Sequence, residues 1–216
     1  MNLEWVLRES DTILGLLGSH VALSVIPVIV GLAIALPLGW AAQRSGVFKT
    51  GLLSVTGLLY TVPSLALFVL LPSVLGTRIL DPLNVVVALT VYTLALLVRT
   101  VSDGLDSVAP ETLQAADAMG YRPLHRLLSV ELPVAVPVIA AGLRVAVVSN
   151  VSVVSIAALI GTPQLGLLFT QGAQLRFLTP IIVGIVLCLV LALVLDGLVL
   201  LLARLMTPWT PRGAHA

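Results

Sequence analysis

The sequence predicts an all-α polytopic membrane protein with about five transmembrane helices. Of its 216 residues, 59% are hydrophobic and only 10% are charged, so most of the chain has no polar face to offer to water. Long apolar runs recur, and a helix needs about 20 such residues to cross the hydrocarbon core. These runs are too long for the strands of a membrane barrel and lack their alternation. Because a lipid-embedded backbone must satisfy its own hydrogen bonds, we expect helices.

The apolar runs define five predicted crossings, the third of which is the shortest, within one membrane domain that covers residues 1–216. The predicted crossings are residues 20–42, 52–75, 83–98, 134–160 and 180–203. The acidic start of the chain, with Glu4 and Glu9, is unlike a cleavable signal peptide. Prolines at 27, 37 and 63 fall inside the first two runs, and we expect each to bend its helix.

The distribution of basic residues predicts the orientation. With the N-terminus outside, the inner segments hold Arg44, Lys49, Arg99, Arg122, Arg126, Arg204 and Arg212, and the outer segments hold Arg8, Arg78 and Arg176. Basic residues concentrate on the cytoplasmic side of membrane proteins, so this count places the C-terminus inside. The formal net charge is only +1, and it gives no field that would attract nucleic acid.

The longest hydrophilic stretch, residues 99–133, is assigned to the cytoplasm and has the marks of two short helices. Pro110 is suited to the first turn of a helix, and Gly120 supplies a stop. Pro123 then begins a second short helix, which we expect Pro133 to close. The sequence therefore predicts a projecting helical loop at about residues 107–133.

The first of these two helices carries a strip of small or flexible apolar side chains. Leu113, Ala115, Ala116 and Met119 recur at helical spacing. Such a strip is suited to lying in a groove of another protein. The alternative is a helical loop that lies on the membrane surface.

The loop carries a motif that resembles a known family. The run Gln114-Ala-Ala-Asp-Ala-Met-Gly120, nine residues and then Val130-Glu-Leu-Pro133 closely resemble the EAA motif of the permease subunits of bacterial ABC importers. In that family the motif forms coupling helices that dock on a cytoplasmic ATPase. The resemblance implies this ATPase-coupling role for Glu111, Gln114, Ala115, Ala116, Gly120, Pro123, Val130, Leu132 and Pro133.

Two positions depart from the family pattern. Gln114 stands where the family usually has Glu, and Val130 replaces Ile. A neutral side chain at position 114 removes any fixed charge pairing with the ATPase there. Glu111, one helical turn earlier, is then the candidate acid.

The flanks narrow the resemblance to the permeases for glycine betaine, carnitine and choline. The similar segments are residues 60–67, 98–105, 130–144, 157–161 and Asp196. The resemblance implies a bacterial cytoplasmic membrane protein that imports osmoprotectants with an extracytoplasmic binding protein. An ABC permease for amino acids or another small solute is the alternative. Thr162, Pro163 and Gln164 depart from the glycine-rich pattern of the family, so contacts on the outer face are expected to differ.

The chain has no means of its own to use ATP. It contains no Gly-x-x-x-x-Gly-Lys-Ser/Thr phosphate-binding loop, so we expect a non-catalytic subunit that binds no cofactor, with ATP and Mg on the partner ATPase. Five helices are too few to enclose a gated route, which predicts a second permease copy or a paralogue. Gly31, Ala35 and Gly39 have the spacing of a close helix contact, either with that partner or within the subunit.

Polar residues inside the apolar runs are candidates for a pathway or for structural pairs. Arg144 and Asp196 lie at similar depths in the fourth and fifth crossings, so they form either an ion pair or separate parts of a pathway. The fourth crossing also contains Ser149, Asn150, Ser152 and Ser155. The three serines recur at a spacing of three and are expected near one face, where they line a polar route or bond neighbouring helices.

The remaining chemistry-bearing residues do not indicate a metal site or an aromatic cage for the solute. His20 is expected to lie at the membrane interface, and no spacing with Cys188, His125 or His215 suggests a metal site. Only 10 aromatic residues occur, which agrees with solute selection by a separate binding protein. The outer segments 72–82 and 161–179 would meet that protein.

Two other classes of protein stay open at this point. A secondary transporter typically has internal repeats and broken helices around midplane sites, and the sequence shows no convincing repeat. A membrane scaffold that moves nothing is also compatible with five helices and a docking loop.

Overall fold

The computed structural model describes residues 2–43 and 45–209, which fold as helices joined by short turns. Arg44, Arg212 and His215, which entered the orientation and metal-site arguments, lie outside the described residues. The α-helices are α1 (Leu3–Arg8), α2 (Ser10–Ala42), α3 (Gly46–Thr61), α4 (Ser64–Leu75), α5 (Pro82–Asp106), α6 (Pro110–Ala118), α7 (Pro123–Arg126), α8 (Leu132–Val154), α9 (Gly166–Gln174) and α10 (Leu178–Met206). A π-helical segment, Leu127–Glu131, precedes α8, and a 3-10 segment, Ser155–Ile160, follows it.

Four long helical stretches in the described part of the chain are apolar enough to cross a membrane. They are α2, α5, the continuous stretch Pro123–Ile160 and α10. The pair α3 and α4 makes a fifth span if it is counted as one. The structure thus confirms an all-α membrane fold, with the second predicted crossing as a broken helix.

The break between α3 and α4 is sharper than the bend predicted at Pro63. The two helices meet at 102°. Val62 is extended, with φ −65° and ψ 130°, because the ring of the following proline disfavours the helical conformation in the residue before it. By contrast, α2 runs unbroken through Pro27 and Pro37.

Helix α5 forms the centre of the subunit and packs against both α2 and α8. Its Leu97, Val98 and Val101 are fully buried in one core cluster with Ala35 of α2 and Ala135 of α8. The helix is longer than the predicted third crossing because it continues beyond residue 98 to Asp106. Asp81 caps its first turn and accepts a hydrogen bond from the Leu83 N–H at 2.9 Å.

The small residues of α2 are used within the subunit. Gly31 lies against Thr93, and Gly39 lies against Val101, both on α5. A Cβ atom on Gly39 would come within 2.5 Å of a methyl carbon of Val101. The contact made by Gly31, Ala35 and Gly39 is therefore within the subunit. This face of α2 is not available to a second copy.

His20 is buried inside the helix bundle and is not exposed at its surface. It is 0% exposed, with Nδ1 3.1 Å from the Gln164 side-chain oxygen and Nε2 3.0 Å from the Val151 carbonyl oxygen. Thr162 and Gln164, which were expected on the outer face, are also buried. Polar partners inside the fold explain the burial of His20 and Gln164, because buried polar groups are stable when they are hydrogen-bonded.

Candidate functional site

The turn between α6 and α7 depends on a glycine. Gly120 has φ +80°, a left-handed conformation that strains side chains other than glycine. Its N–H donates to the Asp117 carbonyl at 2.9 Å, and the Tyr121 N–H donates to the Ala116 carbonyl at 3.1 Å. This is the Schellman pattern of helix termination. The predicted helical stop at Gly120 is confirmed.

The second arm of the loop does not end at Pro133, so that prediction is wrong. Helix α7 passes through the π-helical segment Leu127–Glu131 directly into α8, and Pro133 lies in the first turn of α8. A proline inside a helix removes a hydrogen-bond donor and crowds the preceding turn. A π-helical turn changes the register locally and accommodates it. A displacement of α7 therefore acts on a membrane helix without an intervening hinge loop.

An ion-pair network, which we call the Arg126 clamp, fixes the two arms together. One guanidinium nitrogen of Arg126, Nη1, lies 2.6 and 2.7 Å from the two carboxylate oxygens of Asp117 on α6. Arg126 Nε donates to Glu131 Oε1 at 2.7 Å, and the Glu131 side chain is only 3% exposed. A guanidinium group does not lose its proton in proteins, so Arg126 stays charged at physiological pH.

Sequence reasoning missed this clamp because Arg126 was counted only toward orientation. Both acidic partners lie inside the recognised motif, Asp117 in its first part and Glu131 in its second. The available signal was one basic residue placed between two acidic motif positions. Charge-assisted hydrogen bonds of this kind are short and strong, and the bond to Asp117 links α6 to the second arm.

The predicted coupling residues divide between the outside and the inside of the loop. Glu111, Gln114, Ala115, Gly120 and Pro123 are exposed, and Val130, Leu132 and Pro133 are partly buried. Ala116 is only 1% exposed, because the second arm packs against α6.

The predicted apolar strip is therefore not a continuous outer surface. Ala116 faces the chain's own interior and Leu113 is half-buried, whereas Ala115 and Met119 are exposed. From the second arm, Leu124 and Leu128 are both 57% exposed. We define Ala115, Met119, Leu124 and Leu128 as the apolar surface of the loop.

The structure brings Arg144 and Asp196 together in a bidentate ion pair between α8 and α10. Arg144 Nε lies 2.7 Å from Asp196 Oδ1, and Nη2 lies 2.8 Å from Oδ2. The side chains are 41% and 25% exposed. Of the two alternatives drawn from the sequence, the geometry favours a pair over two separate sites.

The polar residues of the fourth crossing do not share one lining, and Asn150 fits the alternative of a bond between neighbouring helices. Asn150 is buried, and its side-chain amide donates to Thr93 Oγ1 at 3.0 Å and to the Ser24 carbonyl at 3.3 Å. Ser152 is exposed, and Ser155 lies 3.9 Å from the Cys188 sulfur on α10. Steps of three residues leave the helix about 60° short of a full turn, so the row rotates away from a single face. Asn150 and Ser149 remain beside a cleft between α3, α5 and α8.

Comparisons with known proteins agree with this geometry. The family described as "Binding-protein-dependent transport system inner membrane component" matches residues 28–208. The osmoprotectant import permease protein OsmW of Salmonella typhimurium is 36% identical over 98% of both chains. The choline transport system permease protein OpuBB of Bacillus subtilis is 30% identical over 88% of this chain and 86% of its own.

Solved structures show the same fold. An inward-facing structure of the MetNI methionine ABC transporter contains a chain that matches with a TM-score of 0.80 at 18% identity, covering 93% of this chain and 98% of that one. A chain from the crystal structure of an amino acid ABC transporter with histidines matches with a TM-score of 0.74 at 19% identity, covering 94% and 98%. The protein described here belongs to the family of inner membrane components of binding-protein-dependent transport systems.

Proposed function

We propose that this chain is the permease subunit of an ATP-driven importer for osmoprotectants such as glycine betaine, choline or carnitine. The assignment of the solute class is supported mainly by the 36% identity with an osmoprotectant import permease along 98% of both chains. Further relatives are named as choline and glycine betaine/carnitine/choline permeases, at 30% and 28% identity over 88% of this chain. The subunit itself is non-catalytic in this proposal, and a partner ATPase binds ATP and Mg²⁺.

The loop at 107–133 is the docking element for that ATPase in this proposal. Three features support the role: the apolar surface of the loop is exposed, the Arg126 clamp links the two arms, and α7 is continuous with α8. Closure of two ATPase subunits would then displace α7 and α8 together. Such a displacement is the kind of rigid-body movement that switches a transporter between outward and inward access.

The rest of the assembly follows from the proposed orientation. With the N-terminus outside and the C-terminus inside, the broken helix α3–α4 counts as a crossing and the loop faces the cytoplasm. Segments 72–82 and 161–179 then face the extracytoplasmic binding protein. A second permease subunit, either identical or a paralogue, completes the route in this proposal, because about five crossings are too few to enclose a gated route.

Uptake by the assembled importer tests the proposal. The chain is produced with the ATPase, the partner permease and the binding protein, and vesicles are assayed with radiolabelled glycine betaine, choline and methionine. ATP-dependent uptake of glycine betaine or choline supports the osmoprotectant assignment. Uptake of methionine alone would favour the amino-acid alternative. Uptake driven by a proton or sodium gradient without the ATPase would indicate a secondary transporter, and no uptake would indicate a scaffold.

We expect Arg126→Gln to uncouple ATP hydrolysis from uptake. Without the guanidinium, the buried Glu131 carboxylate and Asp117 lose their shared partner, and α6 is no longer fixed to the base of α8. The assay is solute uptake per ATP hydrolysed in proteoliposomes, where we expect a decrease of about tenfold, equivalent to about one charge-assisted hydrogen bond.

A matched neutralisation controls for the loss of positive charge on the same side of the membrane. Arg99 forms only a 3.8 Å surface pair with Asp103, and its side chain is 74% exposed. We therefore expect Arg99→Gln to preserve the ratio of uptake to hydrolysis, because exposed pairs of this type contribute little. Equal ratios for Arg126→Gln and the original protein would contradict the role of the clamp.

A further inference from the structure

Two tyrosines meet across a cleft where the second crossing breaks. The cleft encloses about 210 Å³ between the end of α3, the start of α4, α5 and α8. Tyr60 of α3 and Tyr92 of α5 lie edge to face, with ring centroids 6.0 Å apart and ring planes at 80°. The polar residues that complete the wall are Ser64, Thr93, Ser149 and Asn150.

The break in the helix positions these aromatic rings. Because α3 ends at Thr61, the carbonyl group of Val62 has left the helical hydrogen-bond pattern, and the Tyr92 hydroxyl donates to it. That bond fixes the Tyr92 ring against the break. Tyr60 lies in the last turn of α3 and remains 49% exposed, so one of its ring faces is accessible to a small molecule.

The break in the backbone beside the cleft indicates that the cleft faces a water-filled route or a partner subunit rather than lipid. Tyr92 lies near the middle of α5, at membrane depth. Hydroxyl groups are costly to expose to hydrocarbon, and the Ser149 hydroxyl contributes to the wall, whereas the Asn150 amide is already bonded to Thr93 and Ser24. Non-helical backbone at membrane depth, such as that at Val62, is likewise found where it is buried or lines a cavity.

The chemistry of the wall defines what the cleft can hold. None of the described residues that line it carries a full charge. Its volume is below that of sites for drug-sized ligands, which begin at about 300 Å³. Aromatic faces attract quaternary ammonium groups through the ring quadrupole. A site of this kind binds weakly, because it attracts a cation without a compensating carboxylate, and weak binding allows a solute to leave again.

We infer that this cleft is a subsite on the transport route that holds the trimethylammonium group of the solute against Tyr60 and Tyr92. The inference rests on the proposed function, because choline, glycine betaine and carnitine all carry that group. It adds a second point of solute recognition, inside the membrane, to the selection expected of the binding protein. Tyr60 provides the accessible ring face, and Tyr92 is held in place by its bond to the Val62 carbonyl oxygen.

Binding of radiolabelled choline to the assembled importer, in nanodiscs and without the binding protein, tests this inference. We expect Tyr60→Leu to weaken binding about tenfold, Tyr60→Phe to change it less than about twofold, and Tyr60→Trp to strengthen it, because indole is the best of the aromatic partners for a cation. The neutral analogue 3,3-dimethyl-1-butanol, which has a tert-butyl group in place of trimethylammonium, should not compete. Leu58→Ala is the matched control on α3, since Leu58 is exposed and does not line the cleft.

The outcomes separate this inference from the proposed function. If the complete importer takes up choline but Tyr60→Leu binds it as the original protein does, or if the neutral analogue competes equally, the subsite is wrong. Uptake of choline with no choline binding in the absence of the binding protein would also overturn it. Failure of the complete importer to take up choline and glycine betaine would instead reject the osmoprotectant assignment. Tighter binding by Tyr60→Trp cannot result from misfolding, and it would support the subsite even if Tyr60→Leu were unstable.

Discussion

Arg144→Glu is expected to reduce solute uptake to background and to lower the amount of folded protein in the membrane. The substitution places a second carboxylate opposite Asp196, where the original pair makes two hydrogen bonds of 2.7 and 2.8 Å. Two acidic groups then face each other between α8 and α10, and these apolar helices offer few other polar groups to stabilise them. Asp196→Arg is expected to fail for the corresponding reason, because it opposes two guanidinium groups.

The charge swap is the decisive control for this pair. The double variant Arg144→Glu with Asp196→Arg restores opposite charges across the same two helices, and we expect partial recovery of both folded protein and uptake. Folded protein is measured as the monodisperse fraction after detergent extraction, and uptake is measured in vesicles. If the swap recovers the protein but not the uptake, the pair has a transport role beyond structure. No recovery of either property would reject the pairing.

The pairing of Arg144 and Asp196 was predictable from the sequence, because counting residues along the two crossings places both at similar depths and a charge in an apolar helix needs a partner at a similar level. Counting residues did not reveal the break at Val62. The criterion of about 20 apolar residues measures only the total length of residues 52–75. It contains no information on whether the helix changes direction within that length. The local signal, a proline that constrains Val62, predicted a bend, but the 102° angle depends on how α4 packs against α5.

In the loop, too, local sequence determines some features of the structure and tertiary contacts determine others. Pro110, Gly120 and Pro123 predicted two helical arms and a glycine turn, because both are set by local backbone chemistry. These local signals did not predict that Ala116 faces inward, since that depends on the second arm folding against α6. Pro133 was misjudged for a related reason: its effect depends on whether the preceding turn is α-helical or π-helical, and the sequence pattern does not distinguish the two.

The small-residue series of α2 gives the second large expected effect. We expect Gly39→Leu to prevent stable folding, and Gly39→Ala to lower the free energy of unfolding by about 1–3 kcal/mol, the usual range for overpacking in a well-packed core. A Cβ at position 39 would lie 2.5 Å from Val101 Cγ1 and 3.3 Å from the Ser102 backbone nitrogen. Neither neighbour has a flexible end that can move aside, so α2 and α5 must separate.

A glycine on the same helix provides the matched control. Gly18 has open space where its Cβ would be, so Gly18→Leu should leave the unfolding temperature in detergent and the membrane yield near those of the original protein. The oligomeric state of the Gly39 variants, measured by light scattering, then separates the two interpretations of this spacing. A Gly39→Leu protein that unfolds as the original does but no longer pairs with a second permease would show that the series serves an interface between subunits. Loss of stability in the isolated subunit is the result that the contact with Val101 requires.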